Sequence, residues 1–331
     1  MVKYENPSIE TPIEAALERE LPICDSHHHL WVRSGARYLL DDFLLDISQG
    51  HNIVSTVAVE CGAFYRPQGQ DELKPLGETD FLENVAKQVS SDPKSVIRIA
   101  AGIVGHADLC LGDAVALVLE GHLKSSPGRF RGIRHSSTWD ASGELRSEAP
   151  RGLLGHRRFR EGLACLQRYG LSFDAWLYHP QLGELADLAR ALPGLTIILN
   201  HAGAPLGIGP YAGESEKVFE SWSDGMAAVA GCPNVMVKLG GFGSERSGFA
   251  WHRRSTRPSS TEIAAAITPY IDFCVEKFGA ARCMFESNFP VEKRANSYVV
   301  VWNAFKLITR GYSGDERRAL FHDTAARVYR L

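Results

Sequence analysis

Segments typical of strands and segments typical of helices alternate along most of the chain. The run VSTVAVECGAFYR (54–66) is rich in β-branched residues, and GETDFLENVAKQVSS (77–91) follows it with apolar residues at helical spacing. The same order recurs until a last strand-like run, RCMFESNFP (282–290), precedes two closing helical segments. We count eight strand segments and about eight helical segments.

This alternation predicts a parallel sheet with helices on both of its faces. Strands as uniformly apolar as LTIILN (195–200) are typical of sheets that are covered on both sides. Eight such units in 331 residues match a closed (β/α)8 barrel better than an open doubly wound sheet. We therefore predict an α/β protein in which residues 21–331 form a single TIM-barrel domain and residues 1–20 form an amino-terminal arm.

Composition and charge argue against several classes of partner. The formal net charge is −3, from 36 basic and 39 acidic residues spread along the chain, so no basic patch is offered to nucleic acid or to an anionic membrane. No apolar run reaches the roughly 20 residues of a membrane span, and residues 1–20 do not read as a signal peptide. The seven cysteines are scattered without a C-x-x-C pair, which is typical of a reducing compartment. We predict a cytoplasmic protein that acts on a small molecule and contacts neither nucleic acid nor membrane. The composition is compatible with a homo-oligomer as well as with a monomer.

Polar residues stand where the predicted strands end, and barrel enzymes carry their active sites at this edge. The first strand ends in ICDSHHHLW (23–31), where alternation predicts Asp25, His27 and His29 on one face and Ser26 and His28 on the other. Imidazoles projecting from several strands can surround one ion or one reacting carbonyl. The other strand ends carry Glu60, Arg134, His135, His179, Asn200, His201, Lys238, Glu286 and Asn288.

Six short motifs fall at these strand ends in chain order. They are Asp-x-His-x-His-x-Trp (25–31), Gly-Ile-Arg-His (132–135), Tyr-His-Pro-Gln-Leu (178–182), Asn-His-Ala-Gly (200–203), Val-Lys-Leu-Gly-Gly (237–241) and Phe-Glu-Ser-Asn-Phe-Pro (285–290). Together they resemble the amidohydrolase superfamily and, within it, the amidohydrolase-2 group of lactonase-type hydrolases. The resemblance covers residues 21–331. Within this group, the chain looks similar to sugar-lactone and pyrone-dicarboxylate lactonases.

The resemblance implies hydrolysis of a small ester, usually a lactone, at a site with zero or one divalent metal ion. By position, the metal ligands would be His27, His29, His179 and His201, and His27, His29 and His201 would also be catalytic. The departure is at the eighth strand, where the superfamily has an aspartate that binds metal and carries a proton, and this chain has Asn288. Asparagine cannot be a general base, so another residue must carry the proton. Because Asn288 also removes the expected anionic ligand, we expect zinc to be weakly held or absent.

Two carboxylates are candidates to replace the missing aspartate. Glu286 lies two residues before Asn288 on the same strand, one layer deeper in the barrel, and Glu60 ends the second strand. We predict that Glu286 or Glu60 carries the proton or partners the metal, with Glu286 and Asn288 both counted as catalytic residues. The alternative is that Glu286 only hydrogen-bonds a histidine or an arginine beneath the site.

A further set of residues is predicted to bind the substrate. Arg134 would hold a carboxylate or a carbonyl, because a guanidinium group binds carboxylates through two parallel hydrogen bonds. Trp31 forms either the floor of the site or part of the core, and His179, which precedes Pro180, either binds substrate or only shapes a turn. The remaining candidates are Glu60, Tyr65, Arg66 and His135. A long irregular segment, 244–260, is interpreted as a solvated loop or as a cover over the substrate.

The predicted function is therefore a hydrolase that opens a lactone or a related cyclic ester with water as the nucleophile. No nucleotide cofactor is expected, because the chain has neither a G-x-G-x-x-G run after the first strand nor a phosphate-binding loop motif. Two other functions remain open. One is a non-oxidative decarboxylase of an aromatic or muconate-type acid, and the other is a ligand-binding member without catalysis, which the presence of Asn288 suggests.

Overall fold

The computed structural model, which describes residues 12–33, 35–93 and 95–331, contains one sheet of eight parallel strands. Each strand pairs with the next along the chain, so the order in the sheet is the order in the sequence. The strands are β1 (Pro22–His28), β2 (Asn52–Val59), β3 (Arg98–Gly105), β4 (Phe130–Ser136), β5 (Ser172–Trp176), β6 (Ile197–Leu199), β7 (Val235–Leu239) and β8 (Cys283–Phe285).

The sheet closes into a barrel just beyond the end of β8. The backbone N–H of Asn288 donates to the His27 carbonyl at 2.9 Å, and the N–H of His29 donates to the Phe289 carbonyl at 2.8 Å. These bonds join the last strand to the first at the carboxyl-terminal edge. The prediction of a single (β/α)8 TIM barrel is confirmed.

Helices connect the strands and cover the outside of the barrel. They are α1 (Leu40–Ile47), α2 (Leu76–Ser90), α3 (Ala116–Ser125), α4 (Arg157–Arg168), α5 (Leu182–Ala191), α6 (Ser215–Ala230), α7 (Ser260–Phe278), α8 (Tyr298–Ile308), α9 (Gly314–Arg318) and α10 (Thr324–Val328). The sequence analysis did not predict α1 or the short hairpin of Trp31–Arg33 and Ala36–Tyr38 that precedes it. None of the described helices is long and apolar enough to cross a membrane.

Part of the predicted amino-terminal arm packs against the outer helices. Residues 1–11 lie outside the described residues. The backbone N–H of Leu17 donates to the Asn303 side chain of α8 at 2.9 Å, and Lys306 Nζ donates to the Leu17 and Glu18 carbonyls at 2.8 and 3.0 Å. Residues 17 and 18 are therefore held against α8.

Two apolar regions fill the fold beneath the carboxyl-terminal edge. The larger region lies between the strands and the helices, and the smaller one fills the barrel interior with side chains such as Cys24, Val57, Ile198 and Met284. Tyr329, near the end of the chain, belongs to the interior region and is fully buried. Because the lower interior is packed, the space for a ligand lies at the carboxyl-terminal edge.

Strand β1 breaks the strict alternation of side chains. Its register with β2 shifts between Asp25 and His28, as at a β-bulge. Asp25 accepts a hydrogen bond from the Tyr298 hydroxyl of α8 at 3.0 Å, and His28 stacks on Phe43 of α1 with ring centroids 4.2 Å apart. The prediction that Asp25 lies on the same face as His27 is therefore wrong, because the extra residue turns Asp25 toward the helices.

Candidate active site

A cavity of about 760 Å³ opens at the carboxyl-terminal edge of the barrel. Most of the side chains that the sequence predicts for the site line this cavity, while His27 and Glu286 lie directly beneath it. The predicted residues in the lining are His29, Trp31, Glu60, Tyr65, Arg134, His135, His201 and Asn288.

His27 and His29, at the end of β1, approach each other through their Nε2 atoms, which lie 3.1 Å apart. His29 Nδ1 lies 2.8 Å from the Val59 carbonyl, so the neutral ring donates there and keeps Nε2 unprotonated. Burial holds the pKa values of both histidines well below the usual value, and the charge of Lys238 adds to this effect at His27 and that of Arg134 at His29. Both imidazoles are therefore neutral at pH 7 and can offer a nitrogen lone pair.

Glu286 joins the histidines of β1 and of the segment after β6. Its Oε1 accepts from His201 Nδ1 at 2.7 Å and from the His201 backbone N–H at 3.0 Å, and its Oε2 lies 2.8 Å from His27 Nδ1. The carboxylate is fully buried and does not line the cavity. Of the roles predicted for Glu286, this geometry favours the hydrogen bonding of histidines beneath the site over the direct transfer of a proton to the substrate.

His201 presents its remaining ring nitrogen to the cavity. Since Nδ1 bonds Glu286, the neutral imidazole keeps Nε2 free of a proton. Burial lowers the pKa of His201 below 6.5, although the Glu286 carboxylate acts in the opposite direction. Gly241 on the neighbouring loop has a φ of +75°, and a Cβ there would lie 2.7 Å from the His201 Cβ. This position therefore requires glycine for His201 to keep its place.

Arg134 lies between Glu60 and the β1 histidines. Its Nε donates to Glu60 Oε1 at 2.7 Å, its Nη2 donates to the Glu60 carbonyl, and its Nη1 lies 3.3 Å from His27 Nε2. The Glu60 carboxylate neutralises much of the guanidinium charge, so Arg134 is held firmly at the wall of the cavity.

A buried polar layer supports the histidines from below. Lys238 Nζ donates to Asp174 Oδ2 at 2.8 Å and lies 3.4 Å from His27 Nδ1. The Tyr329 hydroxyl donates to the same Asp174 oxygen at 2.7 Å, and Asn200 Nδ2 donates to it at 3.3 Å. The sequence analysis did not propose Asp174, although an acidic residue inside the apolar run LSFDAWLYHP (171–180) was a signal that could have identified it.

Asn288 occupies the rim position that the sequence predicts, with Glu286 deeper. It has a φ of +53°, which asparagine tolerates, and its carboxamide atoms find no aligned hydrogen-bond partner among the described residues. The neighbouring Glu292 is buried and accepts from the Gly243 N–H at 2.6 Å. Burial raises the pKa of Glu292 to about 8, so this side chain is largely protonated at neutral pH.

The donors around His27 fit a divalent metal ion. His27, His201 and Glu286 bring potential ligand atoms within 4.8 Å of one another, and His29 Nε2 adds a further nitrogen next to His27. Neutral imidazoles with a carboxylate are a donor set that zinc accepts. In addition, Glu286 Oε2 is buried and has no aligned hydrogen-bond donor in the described part of the chain.

Comparison with known proteins decides the family. The amidohydrolase family model matches residues 24–331. The chain belongs to the amidohydrolase family. This amidohydrolase is 34% identical to the uncharacterised protein y4mH of Sinorhizobium fredii, over 94% of the chain and 99% of that protein. It is 28% identical to L-fucono-1,5-lactonase of Burkholderia multivorans, over 93% of the chain and 95% of the relative.

A solved amidohydrolase structure from Burkholderia multivorans, which contains bound zinc, superposes on this amidohydrolase with a TM-score of 0.72. The two chains are 25% identical, and the match covers 93% of this chain and 99% of the other. The barrel is thus shared along nearly its whole length. Family membership supports the prediction that the protein is a hydrolase.

Two predicted residues of the amidohydrolase site lie elsewhere. Arg66 forms an ion pair with Asp80 at 2.7 Å and is absent from the cavity lining. His179 accepts from the Leu206 N–H at 3.3 Å and packs against Tyr211 in a separate groove. The predictions that Arg66 and His179 bind substrate, and that His179 is a metal ligand, are therefore wrong.

The reason is the point at which the two strands end. β5 ends at Trp176, earlier than its apolar run suggests, and Arg66 lies well beyond the end of β2 at Val59. His179 consequently begins a 3₁₀ turn with Pro180 and lies away from the cavity, in the separate groove. Trp176 takes its place at the cavity, with its ring 4.9 Å from that of His201.

Several cavity residues of the amidohydrolase were not predicted. They come from the hairpin, from the loops after β2, β3 and β4, and from the long segment after β7. Besides Trp176, the main ones are Arg33, Cys61, His106, Arg146, Glu148 and Arg246. The arginine-rich composition of 244–260 was a signal for Arg246, but composition does not show which arginine turns inward.

Proposed function

We propose that the protein hydrolyses a small lactone in this cavity, with water as the nucleophile. The observation that carries the proposal is the pair of His201 and Glu286, a neutral imidazole that faces the cavity and is held by a buried carboxylate. Such a pair is suited to remove a proton from water and to stabilise the charge that results. The L-fucono-1,5-lactonase relative supports the same type of reaction.

His201 Nε2 takes a proton from water while the water oxygen attacks the lactone carbonyl. The Glu286 carboxylate stabilises the imidazolium through Nδ1–H, as the acid member of a catalytic triad does. As the bond between the carbonyl carbon and the ring oxygen breaks, the imidazolium returns the proton to the ring oxygen. The product is a hydroxy acid, which releases one proton at neutral pH.

Arg134 is placed to stabilise the negative charge that develops on the carbonyl oxygen. Its guanidinium lines the cavity beside the β1 histidines and is fixed by Glu60, so little reorganisation is needed during the reaction. Trp31 and Trp176 provide apolar walls for the rest of the ring.

His27 and His29 would hold a zinc ion through their Nε2 atoms. When bound, zinc would polarise the carbonyl and lower the pKa of water. The neighbouring rim residue is Asn288, which carries no charge, and the nearby Glu286 carboxylate bonds His201. We therefore expect the site to bind zinc weakly.

We expect dialysis against a chelator to remove zinc from the purified protein while the fold is retained. Metal content measured by elemental analysis before and after dialysis, together with circular dichroism, checks this. His28→Ala provides a control that leaves the cavity donors in place. Zinc that persists at one ion per chain after dialysis would contradict the expectation.

A panel of small lactones with a pH indicator tests the proposed reaction. We expect the release of one proton for each lactone opened, with no carbon dioxide. Release of carbon dioxide from aromatic or muconate-type acids would instead identify a decarboxylase, and saturable binding without turnover in both panels would identify a binding protein.

A further inference from the structure

Arg246, from the segment after β7, brings its side chain to the cavity. Its Cζ atom lies 4.7 Å from the centroid of the Trp176 ring, and that ring lies 4.9 Å from the ring of His201. The guanidinium is therefore separated from the proposed proton acceptor by a single aromatic side chain.

The charge of Arg246 has no carboxylate partner at ion-pair distance among the residues that the structure describes. Its Nε is buried without a hydrogen-bond partner. Two other cavity arginines are paired with carboxylates: Arg134 with Glu60 at 2.7 Å and Arg146 with Glu148 at 3.3 Å. The third, Arg33, is exposed and donates to the Cys61 carbonyl. Burial lowers the pKa of Arg246, and Glu148 acts on it only through longer-range attraction.

The backbone around Arg246 is fixed in advance. The Arg246 carbonyl accepts from the Gly207 N–H at 2.8 Å, which joins the segment after β7 to the loop after β6. Gly248 has a φ of +77°, and a Cβ there would lie 2.4 Å from the Gly207 carbonyl oxygen. Since only glycine allows this approach, the contact fixes the backbone at Arg246, and the packing of the guanidinium against Trp176 positions the side chain.

We propose that Arg246 binds an ionised carboxylate of the substrate and so selects lactones that carry an acid group over neutral lactones. Arg246 is partly buried, and a partly desolvated cation without an anionic partner is costly, so an anion delivered by the ligand offsets that cost. The planar guanidinium can bond both oxygens of a carboxylate while its face stays against Trp176. The position of Arg246 leaves His201 and Arg134 free for the lactone carbonyl.

This inference rests on the proposed function for the identity of the reaction, but its binding component can be tested separately. The kinetic arm uses a γ-butyrolactone that carries a ring carboxylate and the matching neutral carboxamide. The binding arm uses pyroglutamate, the corresponding carboxylated lactam, and its neutral amide, measured by calorimetry. Arg246→Met keeps an unbranched side chain without the charge. Arg253→Met is the matched control, because Arg253 lies on the same segment, is 70% exposed and pairs with Glu245.

We expect the wild type to prefer each carboxylate over its amide by at least about 30-fold, the lower end of what a buried charge pair contributes. Arg246→Met should lose this preference because its rate falls more on the carboxylated lactone than on the neutral lactone, whereas Arg253→Met should behave as the wild type. Equal use of both lactones by the wild type, or an equal loss on both in Arg246→Met, would overturn the inference while leaving lactone hydrolysis intact. Selective binding of pyroglutamate without turnover of either lactone would support the role of Arg246 and contradict the proposed reaction.

Discussion

His201→Gln is expected to lower kcat for lactone hydrolysis by about 10²-fold to 10⁴-fold, the usual contribution of general acid–base catalysis. The glutamine amide can still donate to Glu286, but it cannot take a proton from water. Steady-state kinetics on the lactone that the wild type uses best, with circular dichroism to verify folding, measures the effect. We expect His27→Ala and His29→Ala to abolish turnover as well, because both imidazoles lie at the same site.

His28→Ala is the control for these variants. His28 is as buried as its neighbours but faces the helices, with Nε2 2.9 Å from the Thr56 hydroxyl. Its loss should lower the free energy of unfolding by about 2 kcal/mol, in the range of buried substitutions, and leave kcat close to wild type. If folded His28→Ala were as inactive as His201→Gln, the assignment of the two faces of β1 to packing and to catalysis would be incorrect.

The pH dependence of kcat/KM provides a second test of His201 as the general base. A general base must be neutral, and burial places the pKa of His201 below 6.5. The value of kcat/KM should therefore be constant near neutral pH and fall as the pH drops through that lowered pKa. An inflection above pH 6.5 would assign the proton transfer to another group.

The course of the chain was predictable from its sequence because strand and helix signals are local. Alternating apolar runs and helical periodicity predicted eight strands in their correct order, and residues near the strand ends, such as Glu60, Arg134 and Asn288, reach the cavity. The errors arose where the end of a strand was misjudged. His179 was predicted to point inward because β5 was read as too long, and Arg66 lies well beyond the end of β2.

Other features of the site depend on contacts that the sequence does not display. The bulge in β1 reverses Asp25 because of its pairing with β2, and the periodicity of β1 alone cannot show this. Asp174 owes its buried position to Lys238 and to Tyr329, whose hydroxyl reaches it from 155 positions along the chain. Arg246 turns inward because Gly207 and Gly248 bring two distant loops together.

Glu286→Gln is expected to lower kcat by about 10²-fold or more with a smaller change in KM. A neutral amide cannot stabilise the imidazolium of His201, and its N–H groups can favour the tautomer in which His201 Nε2, not Nδ1, carries the proton. Without the carboxylate, the pKa of His201 should fall further, so the acidic inflection of kcat/KM should move to lower pH. Full pH profiles of the wild type and the variant distinguish this positioning role from a merely structural one, and partial recovery in Glu286→Asp would support it.

The variants Glu60→Gln and Asn288→Asp test which carboxylate supports proton transfer in the site. Glu60 contacts Arg134 and not His201, so Glu60→Gln should lower kcat less than Glu286→Gln does, by loosening the guanidinium that stabilises the carbonyl oxygen. Asn288→Asp places a carboxylate beside the buried Glu292, whose pKa is already raised to about 8, and close to Glu286. The new acid would be largely protonated near neutral pH and should not increase the rate.

If Glu286→Gln and Glu60→Gln both turned over at nearly the wild-type rate, while Asn288→Asp left the rate unchanged or lower, the histidines would handle the proton without a carboxylate, and the role proposed for Glu286 would be rejected.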